Sequence, residues 1–320
     1  MKVYVFHHDD QDGRMGGFIM MNYYLTHGYD TVTPIEVDYN STFDFSGFES
    51  DDRVCIVDFS FNNEVMENLQ KFVDVSNITW IDHHKSAIEG YTAQKKLDGM
   101  RYIGKSGCEL AYLYSKGYRI KRDDKCVNID MSNGEMEFIS IDEIEIPRGV
   151  KLIGDWDVWR NTPDSREFAF ALRAKWPNCM LNTPDGYKFW ESIYNGDNVD
   201  ELIHAGKFIL EYVYGKGTSD CVEYAFPAKI RKFSEIECIA INSCDRSSLV
   251  FESVKDKYEV GVVFNYTEKD RITKQMTCSI YRLGKNPDKN IDVSFIAKSF
   301  GGGGHADAAG FTTSGTLPFV

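Results

Sequence analysis

Apolar residues in the first half of the chain come in short runs separated by stretches of helical period. Val3-Tyr4-Val5-Phe6, Thr33 to Val37, Val54-Cys55-Ile56-Val57 and Ile78-Thr79-Trp80-Ile81 read as strands. Between them, residues 14 to 27 place Met15, Phe18, Ile19 and Tyr23 near helical spacing. Asn62 to Val73 puts Val65, Met66, Leu69 and Phe72 on one face, and another helix starts at Cys108 and runs to Lys116. Strand and helix alternate, which predicts a parallel, doubly wound sheet.

Residues 119 to 149 break that rhythm. Val127, Ile129 and Met131 alternate, Asn133-Gly134 follows, and Glu135 to Ile141 alternates again. Asn-Gly between alternating runs signals a hairpin, read here as a surface excursion from the domain, with a lid or a partner contact as the alternative. Lys151-Leu152-Ile153 predicts a return to the sheet, with Asp155 near the strand end. Residues 186 to 215 look helical and amphipathic through Phe189, Ile193, Leu202, Phe208, Ile209 and Tyr212. From about residue 225 the pattern turns to strands: Ala228 to Phe233, Ile236 to Ile241, Val260 to Tyr266 and Met276 to Tyr281. A short helix, Val293 to Phe300, precedes a glycine run. The expected architecture is α/β throughout. A domain over 1–185 carries the insertion at about 119–149, a helical connector spans 186–220, and a smaller α/β domain fills 221–320.

Length and composition support this. A chain of 320 residues, 42% hydrophobic and 27% charged, can bury two sizeable cores. No apolar run approaches the ~18 residues of a membrane span. The N-terminal run Met1 to Phe6 is too short for a signal peptide. Eight scattered cysteines without a Cys-x-x-Cys predict reduced thiols in a cytoplasmic protein. The net charge of −13 comes with no basic stripe beyond small clusters such as Lys95-Lys96 and Lys229 to Lys232. That argues against a grip on long nucleic acid and, if the ligand is nucleic acid, for a short one.

The chemistry-bearing residues fall at strand ends, where open α/β sheets bind ligands. The first strand ends at His7, His8, Asp10 and Asp12, the third at Asp58, and the fourth at Asp82, His83 and His84. The expected strand 151–153 adds Asp155. Asp9 and Asp157 read as solvated neighbours. So many carboxylates at one edge repel one another unless cations neutralise them. A mixed nitrogen and oxygen donor set suits Mn2+, with Mg2+, Co2+, Zn2+ and Fe2+ as alternatives. Gly301 to Gly304 followed by His305 exceeds what a helix C-cap after Phe300 needs, and glycines let backbone N–H groups approach a phosphate.

His8-x-Asp10-x-Asp12-Gly13, Asp58, Asp82-His83-His84, Asp155 and Gly301-Gly-Gly-Gly-His305-x-x-Ala-Ala-Gly310, in that order over nearly the whole chain, resemble the DHH phosphoesterase superfamily. The last motif resembles that of the superfamily's associated C-terminal substrate-binding domain. His7-His8, Ser106-Gly107-Cys108-Glu109-Leu110 and Asp155-Trp-Asp-Val-Trp159 look most like its oligoribonuclease (nanoRNase) branch, which includes members acting on pAp or cyclic-dinucleotide products.

The resemblance implies that His8, Asp10 and Asp58 hold one metal. Asp12, Asp58, His83 and Asp155 would hold a second, with Asp58 bridging. His84 would face the substrate phosphate as a catalytic contact. Gly302, Gly303, Gly304 and His305 would bind the nucleotide. The family often carries an Arg phosphate contact in the strand before the glycines. Here that position holds Tyr281; Arg282, one residue on, is the candidate substrate contact, although period-2 alternation sends the two to opposite faces.

The implied activity is a Mn2+-dependent phosphodiesterase releasing 5′-mononucleotides from short single-stranded RNA or DNA, with no membrane partner and a homodimer as a possible assembly. Alternatives are a phosphoesterase acting on pAp or on linear or cyclic dinucleotides, a non-catalytic nucleotide-binding module and, more weakly, an inorganic pyrophosphatase.

Overall fold

The structure is a computed structural model. It describes residues 1–39, 41–90, 97–120, 126–130, 136–175, 179–245, 247–270 and 273–313. The chain divides into two compact units, Met1–Ile209 and Leu210–Val320.

In the first unit, β1 (Val3–His8), β2 (Val32–Val37), β3 (Arg53–Val57) and β4 (Ile78–Ile81) form a parallel sheet in the order β2-β1-β3-β4. Residues 98–101 run beside β4, where Trp80 N–H donates to Asp98 O and Asp82 N–H to Met100 O. Alternate strand residues feed opposite faces. Val3, Val5, Cys55 and Val57 join one core with α1 (Gln11–Thr26) and α4 (Gly107–Ser115). Phe6, Val54, Ile56, Ile78 and Trp80 join another with Phe45, Phe61 and, from α2 (Asn63–Leu69), Met66 and Leu69; α3 (Lys85–Gly90) follows β4. Burial on both faces is what the near-continuous apolar strands require.

Two expectations change here. Lys151-Leu152-Ile153 is not a strand but lies in the helix α5 (Arg148–Asp157), which follows Pro147. Its apolar run packs on helices, with Val150 and Ile153 buried in the α1 core. The long helical stretch after 186 is two helices, α7 (Pro184–Asn195) and α8 (Val199–Tyr224), separated at Gly196. A further helix precedes them, α6 (Ser165–Ala174). The excursion forms a small antiparallel sheet of β5 (Tyr118–Ile120), β6 (Cys126–Asp130) and β7 (Met136–Ser140). The expected Asn133-Gly134 turn lies outside the described residues, as do Lys95 and Lys96.

The second unit is a six-stranded mixed sheet. Its strands are β8 (Phe226–Ile230), β9 (Phe233–Asn242), β10 (Val260–Asp270), β11 (Thr273–Arg282), β12 (Gly303–Gly304) and β13 (Ala308–Thr313). β9 and β10 run parallel and the other pairs antiparallel. The helix α9 (Val293–Lys298) shares a core with this sheet.

Candidate metal centre and active site

The strand order sets the carboxyl ends of β1, β3 and β4 side by side, so His8, Asp58 and the Asp82-His83-His84 triplet meet at one sheet edge. Asp10 caps α1, accepting from Gly13 N–H at 2.9 Å, while its other oxygen lies 2.7 Å from His8 Nδ1. Asp12, in the first turn of α1, is buried. It accepts from the N-terminus of α4, from Gly107 N–H at 2.6 Å and Cys108 N–H at 2.9 Å.

Asp58 adopts φ 52°, the left-handed region, immediately after β3. An aspartate tolerates this at modest cost, and such strain concentrates at functional sites. The turn is packed so closely that Gly107 has no room for a side chain: a Cβ there would sit 2.5 Å from Asp58 Cβ.

Asp58 faces both ways. One oxygen is 3.1 Å from His83 Nε2 and 4.0 Å from His84 Nδ1; the other is 4.0 Å from His8 Nδ1. His83 Nε2 also lies 3.8 Å from Asp12 and 3.4 Å from Asp157. Three overlapping donor groups result, each within 4.8 Å: His8-Asp10-Asp58, Asp58-His83-His84 and Asp12-His83-Asp157.

The electrostatics match a site short of positive charge. Burial, then the charges of Asp12, Asp10, Asp157 and Asp82, pushes the Asp58 carboxyl well above the usual range. Burial and the charges of Asp12, Asp10 and Glu109 do the same to Asp157. Burial opposes ionisation of Asp82, but the hydrogen bond from His84 and the charges of His84 and His83 outweigh it and hold the carboxyl low. Reciprocally, burial disfavours the His84 cation, yet Asp82 at 2.8 Å more than compensates and raises its pKa. His7 lacks such a partner. Burial pulls it down to about 4, and its Nδ1 bonds His8 O at 2.9 Å. It is buried and neutral near pH 7.

The expected ligands His8, Asp10, Asp12, Asp58 and His83 are brought together; Asp155 is not. Its carboxylate accepts from Arg160 Nε and from Thr162 Oγ1, the latter at 2.6 Å. Arg160 reaches on to Glu109 at 2.7 Å, and Glu109 forms a capping box with Ser106 at the start of α4. Asp157 occupies the cluster instead. Successive helix residues turn by about 100°, so positions 155 and 157 face nearly opposite ways. The sequence reading missed this because it took the segment as a strand. Pro147 just before the run, and Val150 and Ile153 at helical spacing, were the available signals.

Beside Asp10, Asp12 and Asp157 lies a cavity of about 550 Å³, whose other wall is Ile153, Trp156, Trp159 and Arg173. Sequence reasoning missed this wall as well.

In the second unit, Gly301 takes φ 84°. Its N–H donates to Lys298 O, and Gly302 N–H donates to Ala297 O. These are the paired bonds of a Schellman cap, so the first two glycines end α9. Gly303 and Gly304 pair with β13, and His305 is exposed. Arg282 is paired with Asp307 at 3.3 Å and bonds Pro287 O, which ties it to the loop that follows His305.

No protein-family model matches this chain, and no curated protein matches it. Solved structures do. The DHH domain of a member of a ribosomal protein family is 13% identical with a TM-score of 0.50, covering 97% of this chain and 82% of that one. A pGpG-specific phosphodiesterase, PggH from Vibrio cholerae, is 10% identical with a TM-score of 0.48, covering 98% and 94%. RecJ in complex with Mn2+ from Thermus thermophilus is 12% identical with a TM-score of 0.45, covering 98% of this chain and 49% of RecJ. By its likeness to the first of these, the chain has the fold of a DHH domain.

Proposed function

We propose that this chain is a metal-dependent phosphodiesterase that cuts short oligonucleotides to 5′-mononucleotides. The observation that carries the reading is Asp58, one carboxylate shared between the His8-Asp10 group and the His83-His84 group. The donors fit divalent cations: imidazole and carboxylate together, around the buried Asp12 and Asp58, with Asp58 and Asp157 raised by burial and the surrounding carboxylates. Two cations, Mn2+ by donor type with Mg2+ or Co2+ as alternatives, would supply Lewis-acid activation of water and neutralise the phosphoryl group.

The chain's own groups do the rest. The α4 N-terminus fixes the Asp12 carboxylate. Asp82 orients His84 and favours its protonated form, which suits His84 to donate to a phosphoryl or leaving oxygen. Asp157 takes the place that the motif resemblance gave to Asp155. The acidic chain without a basic stripe supports a short substrate.

The test is incubation of the purified chain and Mn2+ with a labelled dinucleotide, a long strand, pAp and a cyclic dinucleotide. Mononucleotide release from the dinucleotide is expected, with at least a thousandfold loss in Asp58→Ala. Cleavage of the long strand alone overturns the short-substrate reading, and full activity in Asp58→Ala overturns the shared-ligand role.

A further inference from the structure

We infer that Trp159, backed by Trp156, is the platform on which one nucleobase of the substrate stacks while the phosphate beside it sits at the Asp58 centre; this rests on the phosphodiesterase reading above.

The cavity lining combines two chemistries. Asp9, Asp10, Asp12 and Asp157 bring carboxylates, which can meet a phosphate only through cations, and Trp156 and Trp159 bring indole rings. Trp159 is 45% exposed, a large indole lining a cavity rather than buried in a core. Its ring lies 5.4 Å from Trp156 at 34°, and Trp156 meets Phe170 edge-on at 5.8 Å. Arg173 lies over Phe170 and is the one cation among the described residues lining the cavity.

The backbone supports a use for the ring. Trp159 sits at φ 56°, where a bulky residue is strained. Asn161 Nδ2 donates to Trp159 O at 3.0 Å, and Arg160 anchors the turn to Asp155 and Glu109. The structure thus holds a strained turn that leaves its indole in solvent. Burial of the ring does not explain it; a flat partner in the cavity does.

Asp157, two residues earlier, belongs to the donor cluster, so the chain couples platform and phosphate site directly. A flat ring joined to a phosphate through a sugar is a nucleotide. Stacking tolerates any base, because every base offers a π-face. The site therefore selects nucleotides over other phosphoesters without selecting sequence.

The test uses the full chain with Mn2+ and calorimetric binding of adenosine 5′-monophosphate and ribose 5-phosphate, on wild type, Trp159→Ala and Trp159→Phe. Wild type is expected to favour the nucleotide by roughly 5- to 150-fold, the range for one stacked base. Trp159→Ala should lose that preference and Trp159→Phe keep most of it. On a dinucleotide, Trp159→Ala should raise KM by about tenfold or more and leave kcat within a few-fold. Equal binding of the two ligands by wild type, or an undiminished preference in Trp159→Ala, overturns the platform. Dinucleotide hydrolysis without base preference sinks the platform alone, whereas base preference without hydrolysis of any phosphoester sinks the phosphodiesterase reading and leaves the platform standing.

Discussion

Asp155 and Asp157 are two positions apart, and helical geometry gives them different work. Asp157 lies 3.4 Å from His83 in the donor cluster. Asp155 is 2% exposed and is saturated by Arg160 and Thr162. Removing its charge leaves a guanidinium short of a partner, at about 1.5–3 kcal/mol for a hydrogen bond to a charged group. Asp157→Asn should weaken Mn2+ binding tenfold or more and leave the metal-free protein as stable as wild type, since it removes a repelled charge. Asp155→Asn should lower stability by about 1.5–3 kcal/mol and affect Mn2+ less. Calorimetric Mn2+ titration and urea unfolding of both variants decide this. The opposite pattern would return the ligand role to Asp155.

At the scale of elements, the site is built where helix starts meet strand ends. The N-terminus of α4 holds Asp12, and Gly107 in its first turn touches Asp58. Gly107→Ala would drive a methyl into the Asp58 side chain, 2.5 Å from its Cβ and 2.8 Å from Oδ1. Overpacking of this kind costs about 1–3 kcal/mol. Because the displaced group is the shared carboxylate, Mn2+ affinity should fall by more than the stability loss suggests. Circular dichroism melting with Mn2+ titration checks it, and unchanged affinity would show that the turn relaxes freely.

The three strand ends were legible in the sequence because β1, β3 and β4 are unbroken apolar runs that stop abruptly at His or Asp. α5 was not. Lys-Leu-Ile is too short to separate a strand from a buried helix by period, and a strand assignment moves the expected ligand from 157 to 155. The aromatic wall was illegible for a different reason: Trp156 and Trp159 come near Arg173 only through the packing of α5 against α6. The glycine run was half legible, since capping explains Gly301 and Gly302 while Gly303 and Gly304 form an edge strand.

At the scale of the molecule, the charge distribution separates the two units. Asp10, Asp12, Asp58 and Asp157 converge in Met1–Ile209, and every donor group found among the described residues lies there. Each unit has cores of its own. A cation that binds the folded first unit stabilises it by mass action, about 2.7 kcal/mol at a hundredfold excess over Kd. A domain of that size shifts by about 2–4 °C per kcal/mol, so Mn2+ should raise its melting temperature by roughly 5–11 °C. Chelation should reverse the shift, and Asp58→Asn should suppress it. Asparagine also tolerates the left-handed turn and removes a buried, repelled charge, so the metal-free Asp58→Asn protein should melt at or above wild type. Scanning calorimetry of the full chain, with hydrogen exchange to assign transitions to units, reads all of this. A shift confined to Leu210–Val320, or a Mn2+ response undiminished in Asp58→Asn, would place the metal away from the strand-end cluster.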